Sequence, residues 1–181
     1  MAKPENFLVS CDIGSSKICV LIGEQNAHGG LDVIGKGAAA NRGTRKGNIV
    51  NVDATIEAIK LAAEEAEIMA GVQIARAWVG VSGSNVRSFN SRGVVAVAGK
   101  DREITKEDVA RVIDAARGVQ IPQDHEVIHV VPRDFAVDGQ DGVADPLGMI
   151  GSRLEADVHV VTAPVAVTQN IVTCMNKAGV E

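Results

Sequence analysis

The period of the apolar positions changes several times along this chain. Residues 7–11 and 17–24 are short apolar runs on either side of Asp12-Ile13-Gly14-Ser15-Ser16, which predicts two adjacent strands joined by a tight Gly/Ser turn. His28-Gly29-Gly30 marks another turn, and residues 31–40 read as a third strand, so the first forty residues predict an antiparallel meander. After Asn51-Val52-Asp53 the period lengthens. Ile56, Ile59, Ala63, Ala66 and Met69 form one stripe of a helix, with Asp53 as its expected N-cap and Gly71 as its stop. Residues 75–81 then read as a buried strand closed by Ser82-Gly83-Ser84.

The pattern shifts beyond this point. Residues 86–89 and 94–97 are strand-like pieces around Asn90-Ser91-Arg92-Gly93. Thr105-Lys106-Glu107-Asp108 has the spacing of a capping box, and Val109, Val112, Ile113 and Ala116 continue it as an amphipathic helix ending near Gly118. Residues 126–137 predict a long strand in which Pro132 calls for an edge or a bulge. Residues 138–149 are a Gly/Asp/Pro loop, and residues 154–162 a strand of alternating character. Pro164 opens a last helix, with Val165, Thr168, Ile171, Val172 and Met175 on one side and Gly179 past its end. The order is β-β-β-α-β, then an independent block, then a helix. This predicts an α/β chain: half of a duplicated ribonuclease-H-like fold with an inserted α+β subdomain. The expected division is 1–83 with 164–181 against 84–163, and the second half of such a fold is expected beyond Glu181.

Composition narrows the function. With 46% hydrophobic residues, 23% charged residues and a net charge of -5, the 181 residues have the make-up of a folded chain rather than a disordered one. No run of about 18 apolar residues predicts a membrane span. Residues 1–6 are polar, without the apolar core of a secretion signal. Cys11, Cys19 and Cys174 have no metal or redox spacing and read as reduced thiols of a cytoplasmic protein. An acidic chain with no Tyr, one Trp and three Phe offers neither a phosphate-tracking groove nor a stacking platform, which argues against nucleic acid.

The sharpest candidate chemistry is Asp12-Ile13-Gly14-Ser15-Ser16-Lys17. A Gly/Ser turn between strands can aim backbone N–H groups at one point and form a nest for phosphate. There Gly14 would permit close approach, Ser15 and Ser16 would add hydroxyls, Lys17 a point charge, and Asp12 could hold Mg²⁺ through water. The plain alternative is a surface hairpin with an exposed lysine. His125, His129 and His159 could meet as metal ligands on neighbouring strands, or be half-buried histidines with ordinary partners. Glu64, Glu65 and Glu67 read as a solvated helix face. Arg42, Arg45 and Lys46 read either as a contact for acidic lipid or a partner, or as a solvated loop.

The turn resembles the first phosphate loop of the actin, sugar-kinase and Hsp70 superfamily. Further stretches resemble the FtsA family of bacterial cell-division proteins: Arg42-Gly43 through Lys46-Gly47, Ala66-Glu67-Ile68-Met69-Ala70, Val79-Gly80-Val81-Ser82-Gly83, Ile104 through Val109, His125 through Pro132, Asp145-Pro146-Leu147-Gly148-Met149 and Asn170-Ile171-Val172. The resemblance covers the N-terminal part of that family. It implies an actin-like fold that binds ATP and Mg through Asp12, Gly14, Ser15, Ser16 and Lys17, acting as a slow ATPase at most. It also implies a scaffold at the division site that self-associates into filaments on the cytoplasmic face of the membrane. Later divisome proteins would be recruited through 84–163. FtsZ would bind through a lobe, and the membrane through a C-terminal helix, that both lie outside these residues. Rival readings are a sugar- or acetate-kinase-like enzyme of the same superfamily and a pilus-assembly actin-like ATPase. A kinase needs a catalytic carboxylate to deprotonate its acceptor, and no such group stands out here.

Overall fold

Strand β1 (Phe7–Ile13) pairs antiparallel with β2 (Lys17–Gln25) from Phe7↔Glu24 to Ile13↔Ile18, and β2 pairs antiparallel with β3 (Leu31–Ala40). The computed structural model describes residues 7–99, 101–118 and 121–181; the polar stretch at 1–6 lies outside the described residues. Two compact units emerge, Met1–Asn85 with Val165–Glu181, and Val86–Pro164.

In the first unit a short strand β6 (Trp78–Val79) adds parallel to β1, giving the sheet order β3-β2-β1-β6. A two-residue hairpin, β4 (Thr44–Arg45) and β5 (Asn48–Ile49), stands apart from that sheet. Helix α1 (Val52–Ala70) and helix α3 (Val165–Ala178) cover the sheet face that carries Cys11, Ile18, Val20 and Ile22. Two helix expectations need correction. The N-cap of α1 is Asn51, whose side chain accepts from the Ala54 N–H at 3.0 Å, and Asp53 lies in the first turn. The buried stripe is Thr55, Ala58, Ile59, Ala62, Ala63 and Ala66, while Ile56 is half-buried and Met69 is exposed. The cause lies on β3. A side chain at Gly35 or Gly37 would strike the backbone of Ala66 or Ala62, so helix and strand meet backbone to backbone and only alanines fit between them. Residues 75–81 are not a buried strand either. Only Trp78 and Val79 pair, Trp78 is 75% exposed, and Ala75 and Ala77 bond instead to the backbone of Glu181.

The second unit is a four-stranded sheet of β7 (Arg87–Ala96), β10 (Arg153–Pro164), β8 (His125–Val137) and β9 (Gln140–Val143) in that order, with helix α2 (Lys106–Arg117) packed on β7 and β10. The expected pair of short strands around Asn90-Ser91-Arg92-Gly93 is one continuous strand, in register with β10 from Arg87↔Thr162 to Ala96↔Arg153. Gly93 is there for packing rather than turning, since a Cβ would collide with Val112 O and Ala116 N of α2. Thr105 caps α2 in the expected capping box with Asp108. Strand β8 (His125–Val137) has a bulge opposite Asp157 and Val158, and Pro132 sits at it. The loop expected at 138–149 contains a further strand, β9 (Gln140–Val143), reached by an Asp138-Gly139 turn with φ of 49° and 89°. The Asp145-Pro146-Leu147-Gly148 stretch turns back beneath it, held by Gly148 N–H to Ile104 O at 3.0 Å and Ile104 N–H to Met149 O at 2.9 Å. This unit has its own core, centred on Ile104, Val112, Leu154, Val158 and Val160.

Candidate functional site

The Gly14–Lys17 turn is closed by the Gly14 N–H donating to Lys17 O at 3.1 Å. That bond occupies the Gly14 amide, so it is the exposed residues Ser15 and Ser16 whose backbone N–H groups have no protein acceptor among the described residues. Asp12, Ser15, Ser16 and Lys17 are all exposed at the end of the β1–β2 ribbon. The Asp12 carboxylate lies 3.8 Å from where a Gly14 side chain would begin, and that same side chain would sit 2.8 Å from Lys17 O. Gly14 is therefore needed by the tight turn itself. Asp12, Gly14, Ser15, Ser16 and Lys17 form one surface with two N–H donors unpaired among the described residues, two hydroxyls, one ammonium and one carboxylate. Its chemistry suits a phosphate with a hydrated divalent cation beside it.

The sequence reading missed what holds this turn. Asn41, 4% exposed, directly follows β3. Its side chain donates to Gly14 O and to Thr44 Oγ1, each at 2.8 Å, and accepts from the Gly43 N–H at 2.8 Å; its backbone N–H donates to Ser16 O at 2.9 Å. Asn followed two residues on by Gly is an Asx-turn pattern, which is the signal that could have found it. The basic loop at 42–47 is the β4–β5 hairpin, and its tip returns to the same place. Lys46 and Gly47 take φ of 51° and 79°, and the Gly47 N–H donates to Ser15 Oγ at 3.3 Å. Lys17, Arg42, Arg45 and Lys46 are all exposed cations. A shallow depression of about 380 Å³ adjoins Asp12, lined by Ser10, Cys11, Cys19, Leu21, Trp78, Val79 and Gly80. Burial pushes the Cys11 thiol up to about 12, so it is held protonated and is a poor nucleophile.

The other candidates fall apart as sites. His125 Nδ1 lies 3.0 Å from Asp124 and His159 Nδ1 2.8 Å from Asn90, and among the described residues no group of three His, Cys, Asp or Glu is placed to hold a metal ion. Of the three glutamates expected on a solvated face, Glu65 accepts from the Ala38 N–H at 2.8 Å and Glu67 from the Ile74 N–H at 2.6 Å. They fasten a strand and a loop to α1.

The fold and the inserted unit define an actin-like α/β protein with an inserted subdomain. The structure is similar to a solved chain of the PilM-PilN type IV pilus biogenesis complex, with a TM-score of 0.62 over 96% of this chain and 45% of that one, at 14% identity. Residues 83–162 match the family model described as the SHS2 domain inserted in FTSA. The chain is 47% identical to the cell division protein FtsA of Pseudomonas aeruginosa over 97% of its own length, and 39% identical to that of Bacillus subtilis over 96%. It is 32% identical to that of Escherichia coli K12 over 99%. It spans 42%, 39% and 42% of those three relatives. Matched in this way over nearly all its residues, the chain is a fragment of the FtsA family, part of an actin-like cell-division protein. No helix among the described residues is long and apolar enough to cross a membrane.

Proposed function

We propose that the whole protein is an ATP-binding scaffold of cell division. In this reading it polymerises on the inner face of the membrane at the division site, anchors FtsZ there and recruits later divisome proteins. This chain contributes the first phosphate turn and the inserted subdomain. The observation that carries the reading is the turn itself. Among the described residues the Ser15 and Ser16 N–H groups have no protein acceptor, and they stand beside Lys17 and Asp12, on a chain that shares 47% identity with an FtsA. Asp12, Gly14, Ser15, Ser16 and Lys17 would cradle the nucleotide phosphates, with Mg²⁺ reached through water from Asp12. The unit Val86–Pro164 would serve contacts between subunits and toward later division proteins. FtsZ and membrane attachment would lie in parts of the protein outside this chain.

Calorimetric titration of the whole protein with ATP tests the nucleotide reading. Lys17→Ala and Ser15→Ala change the surface without entering the backbone of the turn, and each is expected to weaken ATP binding about tenfold or more. Gly14→Val is a poor probe, since its Cβ would meet Lys17 O whether or not ATP binds there. Unchanged affinity in both folded variants would show that phosphate sits elsewhere.

A further inference from the structure

A trans peptide is planar, so the C=O of one residue and the N–H of the next point in opposite directions. The Gly14 carbonyl is held by Asn41 Nδ2 at 2.8 Å, and this fixes the Gly14–Ser15 peptide plane. The Ser15 N–H is thereby turned away from Asn41 and left without a protein acceptor among the described residues. On the other side of Ser15, the Asn41 backbone N–H holds Ser16 O at 2.9 Å. One buried residue thus grips the turn both before and after Ser15. Asn41 is itself over-determined. Its amide is committed to Thr44 and Gly43 as well, and Gly43 O accepts from the N–H groups of Val50 and Asn51 at 2.8 and 3.0 Å, next to the start of α1. A short turn between two strands would otherwise be free to rotate the Gly14–Ser15 peptide, because glycine tolerates either orientation.

We propose that Asn41 is a positioning residue of the phosphate turn: it holds the Gly14 carbonyl back and so aims the Ser15 N–H at the bound phosphate. This rests on the phosphate reading of the turn given above. Asn41 touches no phosphate itself. Its effect is confined to ligands that have one, which separates it from a residue that merely keeps the fold together.

The test uses the whole protein with Asn41→Ala and Asn41→Asp. The aspartate keeps the size of the side chain and the acceptor for the Gly43 N–H but has no N–H to give Gly14; because it also adds a negative charge, it decides the matter through the Ser15 amide at saturating ATP, which charge repulsion alone would leave responsive. ATP and ADP are expected to bind at least tenfold more weakly to either variant, while adenosine binds within about twofold of its wild-type affinity. In protein labelled with ¹⁵N-serine, the Ser15 amide resonance should move on ATP addition in the wild type and not in the variants. Equal weakening for ATP and adenosine would reduce Asn41 to a structural role and overturn the proposal, as would wild-type ATP affinity. The two readings fail differently. If Lys17→Ala weakens ATP binding and the Asn41 variants do not, only the Asn41 role falls. If neither Lys17→Ala nor Ser15→Ala has an effect and the Ser15 amide ignores ATP, the phosphate reading falls and takes this one with it.

Discussion

The carboxylate of Glu65 on α1 accepts a hydrogen bond at 2.8 Å from the backbone N–H of Ala38 on β3. Strand β3 is an edge of its sheet, and this N–H faces away from β2. The helix that crosses the edge strand thereby occupies one of the unused groups that would invite another strand to pair.

Removing that acceptor has a measurable cost. Glu65→Ala is expected to destabilise the protein by about 1 kcal/mol, the value of an ordinary hydrogen bond rather than a charged one because the side chain is exposed. Glu65→Gln keeps an acceptor oxygen and should lose less. Urea unfolding of the two variants checks this, and equal loss in both would show that the charge rather than the hydrogen bond matters.

Gly93 supports a sharper expectation. A methyl group there meets Val112 O and Ala116 N, both backbone atoms of α2, so the helix must lift off β7. Ser91 Oγ donates to Ala116 O at 2.8 Å from two residues away, and lifting the helix breaks that bond too. Gly93→Ala should therefore cost roughly 1–3 kcal/mol, in the range of overpacked cores. A denaturation midpoint within error of the wild type would show that α2 is not packed tightly on β7.

Gly93 also shows where the sequence was legible and where it was not. Among Asn90, Ser91 and Arg92 it reads as a turn, because turn composition and a packing glycine look alike in one dimension. Its reason is α2, which lies close in space and distant in sequence. The same blindness moved the buried stripe of α1 from Ile56 and Met69 to Ala58 and Ala62, since what selects the alanines is Gly35 and Gly37 on another strand. Local signals fared better. The span of β3, the stop at Gly71 and the capping box at Thr105 are decided by neighbours within a few residues. The site divides in the same way: Asp12 to Lys17 stand together in the sequence, whereas Asn41 reaches them only across the β2–β3 pairing.

Asp108 provides a pH-dependent expectation. Its carboxylate accepts from the Thr105 N–H at 3.0 Å and the Thr105 hydroxyl at 2.7 Å, and pairs with Arg111. The two Thr105 bonds, followed by Arg111, hold its titration well below the ordinary carboxylate value of 3.8. A group depressed on folding stabilises the protein above its unfolded value, and that contribution drains away as pH falls from there toward the folded value. Asp108→Asn should thus cost about 1–2 kcal/mol at pH 7, and the gap to wild type should narrow as the pH drops through 4 and below. Unfolding curves from pH 3 to 7 show this; a gap that stays constant would mean that Asp108 acts by shape and not by charge.

The inserted unit should survive on its own. Its buried side chains, Ile104, Val112, Ala116, Phe135, Val137, Leu154, Ala156, Val158 and Val160, form a core with no member in the core of the first unit. Its helix carries a complete capping box, and its sheet is ordered by pairings internal to Val86–Pro164. Its two ends also lie together. Arg87 and Thr162 are direct partners in the β7–β10 ladder, and Thr162 Oγ1 donates to Arg87 O at 3.4 Å. Antiparallel partners sit about 5 Å apart, so the chain leaves the unit beside the point where it came in, and cutting it out opens no long loop. Residues 86–164 produced alone are expected to unfold in one cooperative thermal transition, seen alike by far-UV circular dichroism and by amide NMR dispersion. Asp108→Asn should lower that midpoint, as Gly93→Ala should. In the complementary experiment, the whole protein with this unit replaced by a short Gly/Ser bridge should still bind ATP, because Asn41, the Gly14–Lys17 turn and the groups that Asn41 bonds all belong to the first unit. Self-association and the recruitment of later division proteins should fall. A featureless melt of the isolated unit would break the independence argument, and a deletion protein that assembles normally would break the contact role.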